Sequence, residues 1–281
     1  MKKEALGVYQ IITANLLSAF IVILIRFGKE LGAPTMAFFR VFLAAIFLLP
    51  LFYFSKKIKL ANFKKEKSKL IFFGLAHGII LLSYFVSLNF LTIASASLLI
   101  SSLSIWVVVF SYLILKEKIH KITLVSLVIS IAGLILVLSP QSFFIFESLV
   151  GSALGLLGGI LAGLVYVLSK TFKSYDKISL TFWQNLIAAP FLFLLLFFGK
   201  PIFNLNGIII LILLGLLGAS SFIFIYKGFG NVSGQKGGVL TLLYIVFAII
   251  LALIFFKEVP TLNEIFGGLL IILGSYLSTK S

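Results

Sequence analysis

The sequence contains no cysteine and only eight acidic residues among its 281 residues. Without cysteine the chain can form no disulfide, no thiolate metal site and no cysteine nucleophile. Charged residues make up 11% of the chain, against about 25% in an average soluble domain. So few charged side chains cannot cover the surface of a soluble protein of this length. The shortage of charge therefore excludes an ordinary soluble domain.

Apolar residues, by contrast, make up 61% of the chain and fall into long runs. A membrane-spanning helix needs about 20 consecutive, mostly apolar residues. The runs and the breaks between them predict an all-α integral membrane protein with ten transmembrane helices and no separate soluble domain. We take the first run, which has span length and no clear signal-peptidase site before Arg26, as an uncleaved helix. The ten predicted spans cover residues 6–26, 34–54, 70–90, 94–115, 121–139, 149–169, 179–198, 207–227, 237–256 and 261–278.

The net charge of +15 is concentrated in the loops between these spans. Alternate loops, counted from the N-terminus, hold sixteen lysines on one side and four lysines or arginines on the other. Cytoplasmic loops are enriched in lysine and arginine, so this asymmetry predicts a multi-pass protein of the cytoplasmic membrane with both termini in the cytoplasm. The expected partners are the lipid bilayer and a small-molecule substrate, not nucleic acid.

The chain also contains an internal repeat. An offset of 144 residues places the first two spans on the sixth and seventh, with Arg26 on Lys170. An offset of 141 places spans three to five on spans eight to ten, with Lys116-Glu117 on Lys257-Glu258. Each half has five spans, an odd number, so the two halves must insert with opposite orientation. The sequence predicts two inverted five-helix repeats, 1–139 and 149–278, an architecture common among secondary transporters.

Four features make the chain resemble the EamA-type ten-helix transporters of the drug/metabolite transporter superfamily. A basic residue, Arg26, ends the first helix, and the second contains the arginine-plus-apolar stretch Ala37-Phe38-Phe39-Arg40-Val41-Phe42. A glutamate closes the fourth and the ninth helix, Glu117 and Glu258. The fifth and the tenth helix each contain a glycine, Gly133 and Gly274. The resemblance implies a carrier of amino acids or similar small metabolites. It also implies a central cavity lined by helices 1–4 and 6–9, with helices 5 and 10 in support.

One departure concerns the fourth and ninth helices. Members of this family often carry proline thirteen residues before the closing glutamate, whereas this chain has Ser104 and Ile245 there. Without proline at these positions, a proline hinge is not expected in these helices.

Arg40 lies about six residues inside the second predicted span, or roughly 9 Å from the interface at about 1.5 Å per residue. A charge at that depth normally faces a cavity or a partner. Arg40 has three possible roles: it contacts the substrate or a gate, it forms a structural ion pair, or its side chain snorkels to the headgroups.

His77 is an isolated histidine in the third span, and it is either a packing residue or a titrating group. All eight acidic residues lie at the ends of spans or in loops. Proton relays in membranes generally use buried carboxylates, so transport here is predicted not to require a proton gradient.

The remaining candidates are polar or aromatic residues within or beside the spans. Lys227 is either an interfacial residue or part of a cationic entrance to the cavity. Gln184 is a stronger candidate than most because the repeat aligns it with Arg40. In the sixth span, Gly151, Gly155, Gly159 and Gly163 form a stripe of small residues for close helix packing or for sliding. The candidate substrate-binding or gating residues are Arg40, His77, Tyr84, Trp106, Tyr166, Gln184, Lys227 and Tyr244.

The resulting prediction is a secondary transporter that moves small metabolites, amino acids or related carboxylates, across the membrane by alternating access. The alternatives are an exporter of amphiphilic drugs or other metabolites, a membrane-embedded enzyme, and a non-transporting scaffold. Metal-assisted catalysis requires clustered carboxylates or histidines. The sequence offers two histidines and no acidic cluster within a span, so we predict no enzymatic activity, no catalytic residue, no metal and no cofactor.

Overall fold

All regular structure in the described part of the chain is helical. The computed structural model describes residues 2–54, 60–87, 90–91, 96, 99–137, 149–198 and 204–280. Eight helices are long and apolar enough to cross a membrane, and two shorter apolar helices, Leu99–Leu115 and Lys121–Val137, accompany them. The all-α prediction is therefore confirmed for these residues. The predicted break between the third and fourth spans, near Thr92, lies outside the described residues, as do the break at 139–141 and Lys200.

The helices follow the predicted spans closely, with one main exception. The third begins at Leu60, ten residues earlier than predicted, and bends at Glu66. Lysine and glutamate are good helix formers, so the charged segment continues the helix instead of ending it. The helices are α1 Lys2–Phe27, α2 Ala33–Phe54, α3 Leu60–Ser87, α4 Leu99–Leu115, which is interrupted at Ser102, α5 Lys121–Val137, α6 Leu149–Thr171, α7 Lys177–Phe193, α8 Leu205–Asn231, α9 in two segments, Gly234–Leu240 and Leu243–Phe256, and α10 Leu262–Thr279.

Short polar side chains start several helices by capping their first backbone N–H groups. Asp176 accepts hydrogen bonds from the backbone N–H of Ile178 and Ser179 at the start of α7. Thr261 and Glu264 form a reciprocal capping box at the start of α10. These caps fix where the chain leaves a loop and begins the next helix.

Both ends of the chain lie at the same end of the helix bundle. The Nζ of Lys236 is 2.5 Å from a carboxylate oxygen of Glu4, and it donates a hydrogen bond to the carbonyl of Thr279. We call this end the terminal face. The opposite end, which holds Arg26 and Glu258, is the far face.

The packing of the helices brings the two halves of the chain into extensive contact. α1 packs against α8 and α9, and α6 packs against α3 and α4. α2 packs against α7 and α8, α7 also packs against α3, and α5 packs against α10. Glycines allow the closest of these approaches: a Cβ placed on Gly133 of α5 would lie 2.5 Å from the carbonyl oxygen of Gly267 on α10.

The outer surface of the bundle is apolar. Large hydrophobic side chains such as Val128, Leu149 and Phe197 are exposed along the helices. Only a third to about half of each long apolar segment is buried within the protein. An apolar surface of this extent is suited to a lipid environment, where a helix satisfies its own backbone hydrogen bonds.

Candidate functional site

A cavity of about 160 Å³ lies inside the bundle, between α1, α2, α3, α4, α6, α8 and α9. The described lining includes no residue of α5, α7 or α10. The lining reaches Ile25, two residues before α1 ends, and Tyr84 in the last turn of α3, so the cavity extends toward the far face. Its lining residues are Asn15, Ser18, Ile21, Val22, Ile25, Arg40, His77, Ile80, Leu81, Tyr84, Ile100, Leu103, Ala162, Tyr166, Phe222, Thr241 and Tyr244.

Arg40 lines this cavity from α2, two turns from the far-face end of that helix. Its Nε is buried and has no hydrogen-bond partner. None of the ion pairs between described residues involves Arg40. Its guanidinium carbon is 5.9 Å from the centroid of the Phe222 ring, within the range of a cation–π contact. Arg40 therefore brings a positive charge and unused hydrogen-bonding capacity to the cavity.

The side chain of Arg40 has room because α8 carries a glycine beside it. A Cβ placed on Gly218 would lie 3.2 Å from Arg40 Nε and 3.3 Å from its Cγ. Any larger residue at position 218 would press on the arginine stem, so this glycine helps to set the position of the guanidinium.

His77 lies beside Arg40 and is almost completely buried, with 1% of its surface exposed. Neither of its ring nitrogens has a hydrogen-bond partner. The imidazole packs edge-on against Phe222, with 4.6 Å between ring centroids. Phe222 thus contacts both His77 and Arg40, and the two side chains form one polar wall of the cavity.

Three predicted tyrosines also contribute to the polar lining. Tyr84, Tyr166 and Tyr244 come from α3, α6 and α9. The hydroxyl of Tyr244 lies 3.1 Å from the hydroxyl of Ser101, which connects α9 to the start of α4. The aliphatic lining residues cover most of the remaining wall. The structure therefore brings together five of the eight predicted residues: Arg40, His77, Tyr84, Tyr166 and Tyr244.

The other three predicted residues do not line the cavity. Trp106 stacks on Phe110, and its Cβ is close to Gly163 of α6. Gln184 is fully buried, and its Oε1 accepts a 2.6 Å hydrogen bond from the hydroxyl of Tyr226. Lys227 is exposed near the end of α8.

The cavity also includes polar residues that the sequence did not single out, notably Asn15 and Thr241. Asn15 Nδ2 donates a 2.7 Å hydrogen bond to the carbonyl of Leu240, where α9 is interrupted. There the backbone bonds change to an i→i+3 pattern, from Leu242 to Val239 and from Ile245 to Leu242. In the sequence, an asparagine in the middle of the first span is the signal that could have identified Asn15 as a cavity residue. An asparagine that only packs between helices gives the same signal.

The same tightening occurs in α4. The N–H of Ser102 bonds to the carbonyl of Leu99, and the N–H of Ile105 bonds to that of Ser102, again with i→i+3 spacing. A short 3₁₀ stretch inside a helix is a frequent site of functional bending. Both irregular turns lie next to cavity-lining residues, and neither contains proline.

An ion-pair network joins several helix ends at the terminal face. Lys170 Nζ is 2.8 Å from Glu117 Oε1 and also donates to the carbonyl of Val232. The other carboxylate oxygen of Glu117 accepts a 2.8 Å hydrogen bond from the N–H of Gly234. This network connects the ends of α4 and α6 to the turn between α8 and α9.

A second ion pair, Arg26 with Glu258, lies at the far face. The guanidinium of Arg26 also stacks over Phe256, with 4.1 Å from its central carbon to the ring centroid. The hydrogen bond from Arg26 holds the pKa of the Glu258 carboxyl below its usual range, so the pair persists until the pH falls through that lowered value.

The described residues contain no group of three or more His, Asp or Glu side chains that could hold a metal ion. The chemistry that the cavity offers is recognition by a guanidinium, hydroxyl groups and an amide within apolar walls.

Comparison with known proteins identifies the family. A model of the EamA-like transporter family matches residues 5–139 and 149–280. An uncharacterized transporter from Clostridium kluyveri is 28% identical over 256 residues, covering 85% of this chain and 81% of the relative. The mouse protein named solute carrier family 35 member G1 is 24% identical, covering 98% and 79% of the two chains.

A solved crystal structure has the same fold, with a TM-score of 0.85 over 98% of this chain and 96% of the other at 15% identity. The family match covers most of the chain, and the apolar helices provide several membrane crossings. The chain is therefore a multi-pass membrane protein that belongs to the EamA-like transporter family.

Proposed function

We propose that this protein is a secondary transporter that moves small carboxylate-bearing metabolites, amino acids or related carboxylates, across the cytoplasmic membrane by alternating access. The observation that carries the proposal is Arg40, whose buried Nε lacks a partner in an interior cavity. A guanidinium matches the geometry of a carboxylate, to which it can donate two parallel hydrogen bonds. A bound carboxylate would supply the partner that the protein itself does not.

We further propose that the chain crosses the membrane ten times as two inverted repeats of five helices. The helix packing supports this, because the most extensive contacts between helices of opposite halves correspond under exchange of the halves. The contacts of α1 with α8 and α9 correspond to those of α6 with α3 and α4. Those of α2 with α8 correspond to those of α7 with α3. The two segments matched by the family model fall on the two proposed repeats.

The ends of the helices support the same symmetry. The pairs Arg26–Glu258 and Lys170–Glu117 are equivalent under the two sequence offsets, and each connects the first helix of one half to the glutamate after the fourth helix of the other. Lys116 and Lys257, the C-caps of α4 and α9, both adopt the left-handed conformation with φ of 56°. Non-glycine residues rarely adopt that conformation, so its repetition at equivalent positions is informative.

The proposed orientation places the terminal face in the cytoplasm. Both ends of the chain lie at this face, as the contacts of Lys236 with Glu4 and Thr279 indicate. The lysine-rich segments of the loops belong to the same side of the topology. The far face would then be extracellular.

A difference between the two ion pairs supports alternating access. At the terminal face, Lys170 and Glu117 are bonded to the α8–α9 turn through Val232 and Gly234. In the described part of the far face, the equivalent pair makes hydrogen bonds only within itself. These contacts support the proposal of a state closed at the terminal face, with the cavity extending toward the far face. The opposite state would reverse these relations.

The size of the cavity favours a small metabolite over the alternative of an amphiphilic drug. Pockets for drug-sized ligands measure about 300–1,000 Å³. The cavity here is about 160 Å³, and a part of its wall is polar.

A counterflow assay in proteoliposomes tests the proposal. Vesicles loaded with an unlabelled carboxylate should accumulate the radiolabelled form from outside, and Arg40→Gln should strongly reduce this accumulation at the same protein density. The matched control is Lys29→Gln, which removes an exposed charge near the far face. Failure of a panel of amino acids and other small carboxylates to drive counterflow would refute the proposed substrate class.

A further inference from the structure

The cavity contains a positive charge with no acidic residue to balance it. Arg40 is the one lysine or arginine among the described lining residues, and none of those residues is aspartate or glutamate. None of the eight acidic residues of the chain lies within the apolar core of a predicted span. They are Glu4, Glu30, Glu66, Glu117, Glu147, Asp176, Glu258 and Glu264. The imbalance is therefore a property of the whole sequence.

A substrate must match this distribution of charge. A carboxylate gains a charge-assisted contact with Arg40. An ammonium group on the same small molecule would enter a cavity of about 160 Å³ that already holds a guanidinium. It would lose its hydration there without meeting a carboxylate, which is costly in an apolar environment.

The neutral polar groups of the described lining cannot balance the charge of an ammonium ion. The hydroxyl of Thr241 donates to the carbonyl of Gly238, and Ser18 is paired with Ser221. The carbonyl of Leu240 at the interrupted turn of α9 already accepts a hydrogen bond from Asn15. The hydroxyl of Tyr244 is paired with Ser101. Such hydroxyl and carbonyl oxygens keep acceptor lone pairs, and the imidazole of His77 has no partner, but none of these groups carries the negative charge that would offset an ammonium group beside Arg40.

The rest of the wall is apolar and branched. Ile21, Ile80, Ile100 and Leu103 line it, and the Phe222 ring contacts both Arg40 and His77. An aliphatic or aromatic side chain of the substrate can pack here while its carboxylate meets Arg40.

We infer that the cavity selects solutes of net negative charge, namely small monocarboxylates with an apolar side chain and no amino group, such as 2-oxo acids, over the zwitterionic amino acids of the same shape. This inference rests on the proposed function and narrows its substrate class. It attributes the selectivity for monocarboxylates over amino acids to the unbalanced positive charge of Arg40.

The test uses three probes that share one side chain: 4-methyl-2-oxopentanoate, leucine and 3-methylbutylamine. Each is titrated against the purified full-length protein in lipid nanodiscs, and the rise in melting temperature gives an apparent Kd. We expect the oxo acid to bind at least tenfold more tightly than leucine, and the amine to give no rise. In proteoliposomes the oxo acid should also be the stronger competitor for counterflow.

Two variants connect the preference to charge. His77→Glu places an acid in the polar wall with Arg40, so it should reduce the ratio of the two Kd values to about one. Lys29→Gln, at an exposed site, should leave that ratio unchanged. Since His77→Glu can fail to fold, Arg40→Gln provides an independent variant, and it too should remove the preference.

The outcomes separate this inference from the proposed function. Leucine binding as tightly as the oxo acid, or more tightly, would overturn the inference and leave a carboxylate transporter standing. Binding of the amine alone, or of none of the three probes, would overturn both. An unchanged preference in Arg40→Gln would also overturn the inference, because the selectivity would then have another source.

Discussion

Lys236, which is buried, and Arg40, which lines the cavity, are two cations in opposite kinds of environment. Lys236 is only 2% exposed, and it contacts the carboxylate of Glu4 and the carbonyl of Thr279 at the terminal face. Arg40 has a buried Nε without any partner and makes no ion pair with a described residue. Burying an unpaired polar group is costly, so a protein retains it where something else supplies the partner. The contacts of Lys236 within the protein explain its burial, whereas Arg40 keeps hydrogen-bonding capacity for the carboxylate that we propose it binds.

Substitution of Arg40 should affect binding more than folding. A charge-assisted hydrogen bond contributes about 1.5–3 kcal/mol, so Arg40→Gln should weaken carboxylate binding about ten- to a hundredfold. Arg40→Lys keeps the charge without the planar fork and should recover part of the affinity. The measurement is apparent Kd and uptake at matched membrane abundance. Unchanged affinity and uptake in Arg40→Gln would show that Arg40 makes no contact with the substrate.

At the scale of helices, the glycine stripe of α6 allows α4 to pack closely. A Cβ on Gly163 would lie 2.6 Å from the Cβ of Trp106, and one on Gly159 would meet the hydroxyl of Ser102. Both contacts lie on the irregular part of α4 or next to it. The stripe therefore places this part of α4 against α6 beside the cavity.

The matched substitutions Gly159→Ala and Gly268→Ala test this packing. Gly159→Ala should lower the melting temperature, because overpacking of this kind costs about 1–3 kcal/mol. A Cβ placed on Gly268 would have no neighbouring atom within 4 Å, so Gly268→Ala should be neutral or slightly stabilising. Thermal denaturation of the two variants in the same detergent provides the comparison. Equal losses in both would mean that glycine at position 159 is not required for close packing.

The two ion pairs should differ in their effect on stability. The side chains of Lys170 and Glu117 are 16% and 22% exposed, against 39% and 48% for Arg26 and Glu258. Glu117→Gln turns one of the two acceptor oxygens into an NH2 donor, so either Lys170 Nζ or the N–H of Gly234 loses its acceptor, at a cost of about 1–3 kcal/mol. An exposed pair contributes about 0–1 kcal/mol.

Glu117→Gln should therefore lower the melting temperature clearly, and Glu258→Gln should lower it little or not at all. The first variant should also favour opening at the terminal face. Differential scanning fluorimetry of both variants checks the order. A larger loss in Glu258→Gln would contradict the assignment of the closed face.

The sequence predicted the helices and the position of Arg40 along α2 well, because apolar run length and charge position are one-dimensional properties. It could not predict how each helix is rotated about its axis. Gln184 aligns with Arg40 through the repeat but packs against Tyr226, since α7 contributes no described residue to the cavity. Trp106 packs between α4 and α6 for the same reason. The contribution of Asn15 depends on the interruption of α9, which only the three-dimensional structure places beside it.

At the scale of the whole molecule, the distribution of acids bears on energy coupling. A carboxylate relay would need an acid within the bundle, and all eight acids lie at the ends of spans or in loops. Counterflow should therefore persist when an uncoupler dissipates the proton gradient. His77 is the titratable residue to test, since it lines the cavity with both nitrogens unpartnered. Loss of accumulation with the uncoupler and also in His77→Ala would make His77 the coupling residue.

The absence of cysteine from the chain permits a direct test of alternating access at the Arg40 cavity. Ile80→Cys places one thiol on the cavity wall beside His77. Its reaction with a membrane-impermeant thiosulfonate is measured from outside in whole cells and from the cytoplasmic side in inside-out vesicles. We expect fast labelling from outside, slow labelling from the cytoplasmic side, and faster cytoplasmic labelling when Glu117→Gln is added. Labelling that is equal from both sides and unaffected by Glu117→Gln would contradict alternating access around this cavity.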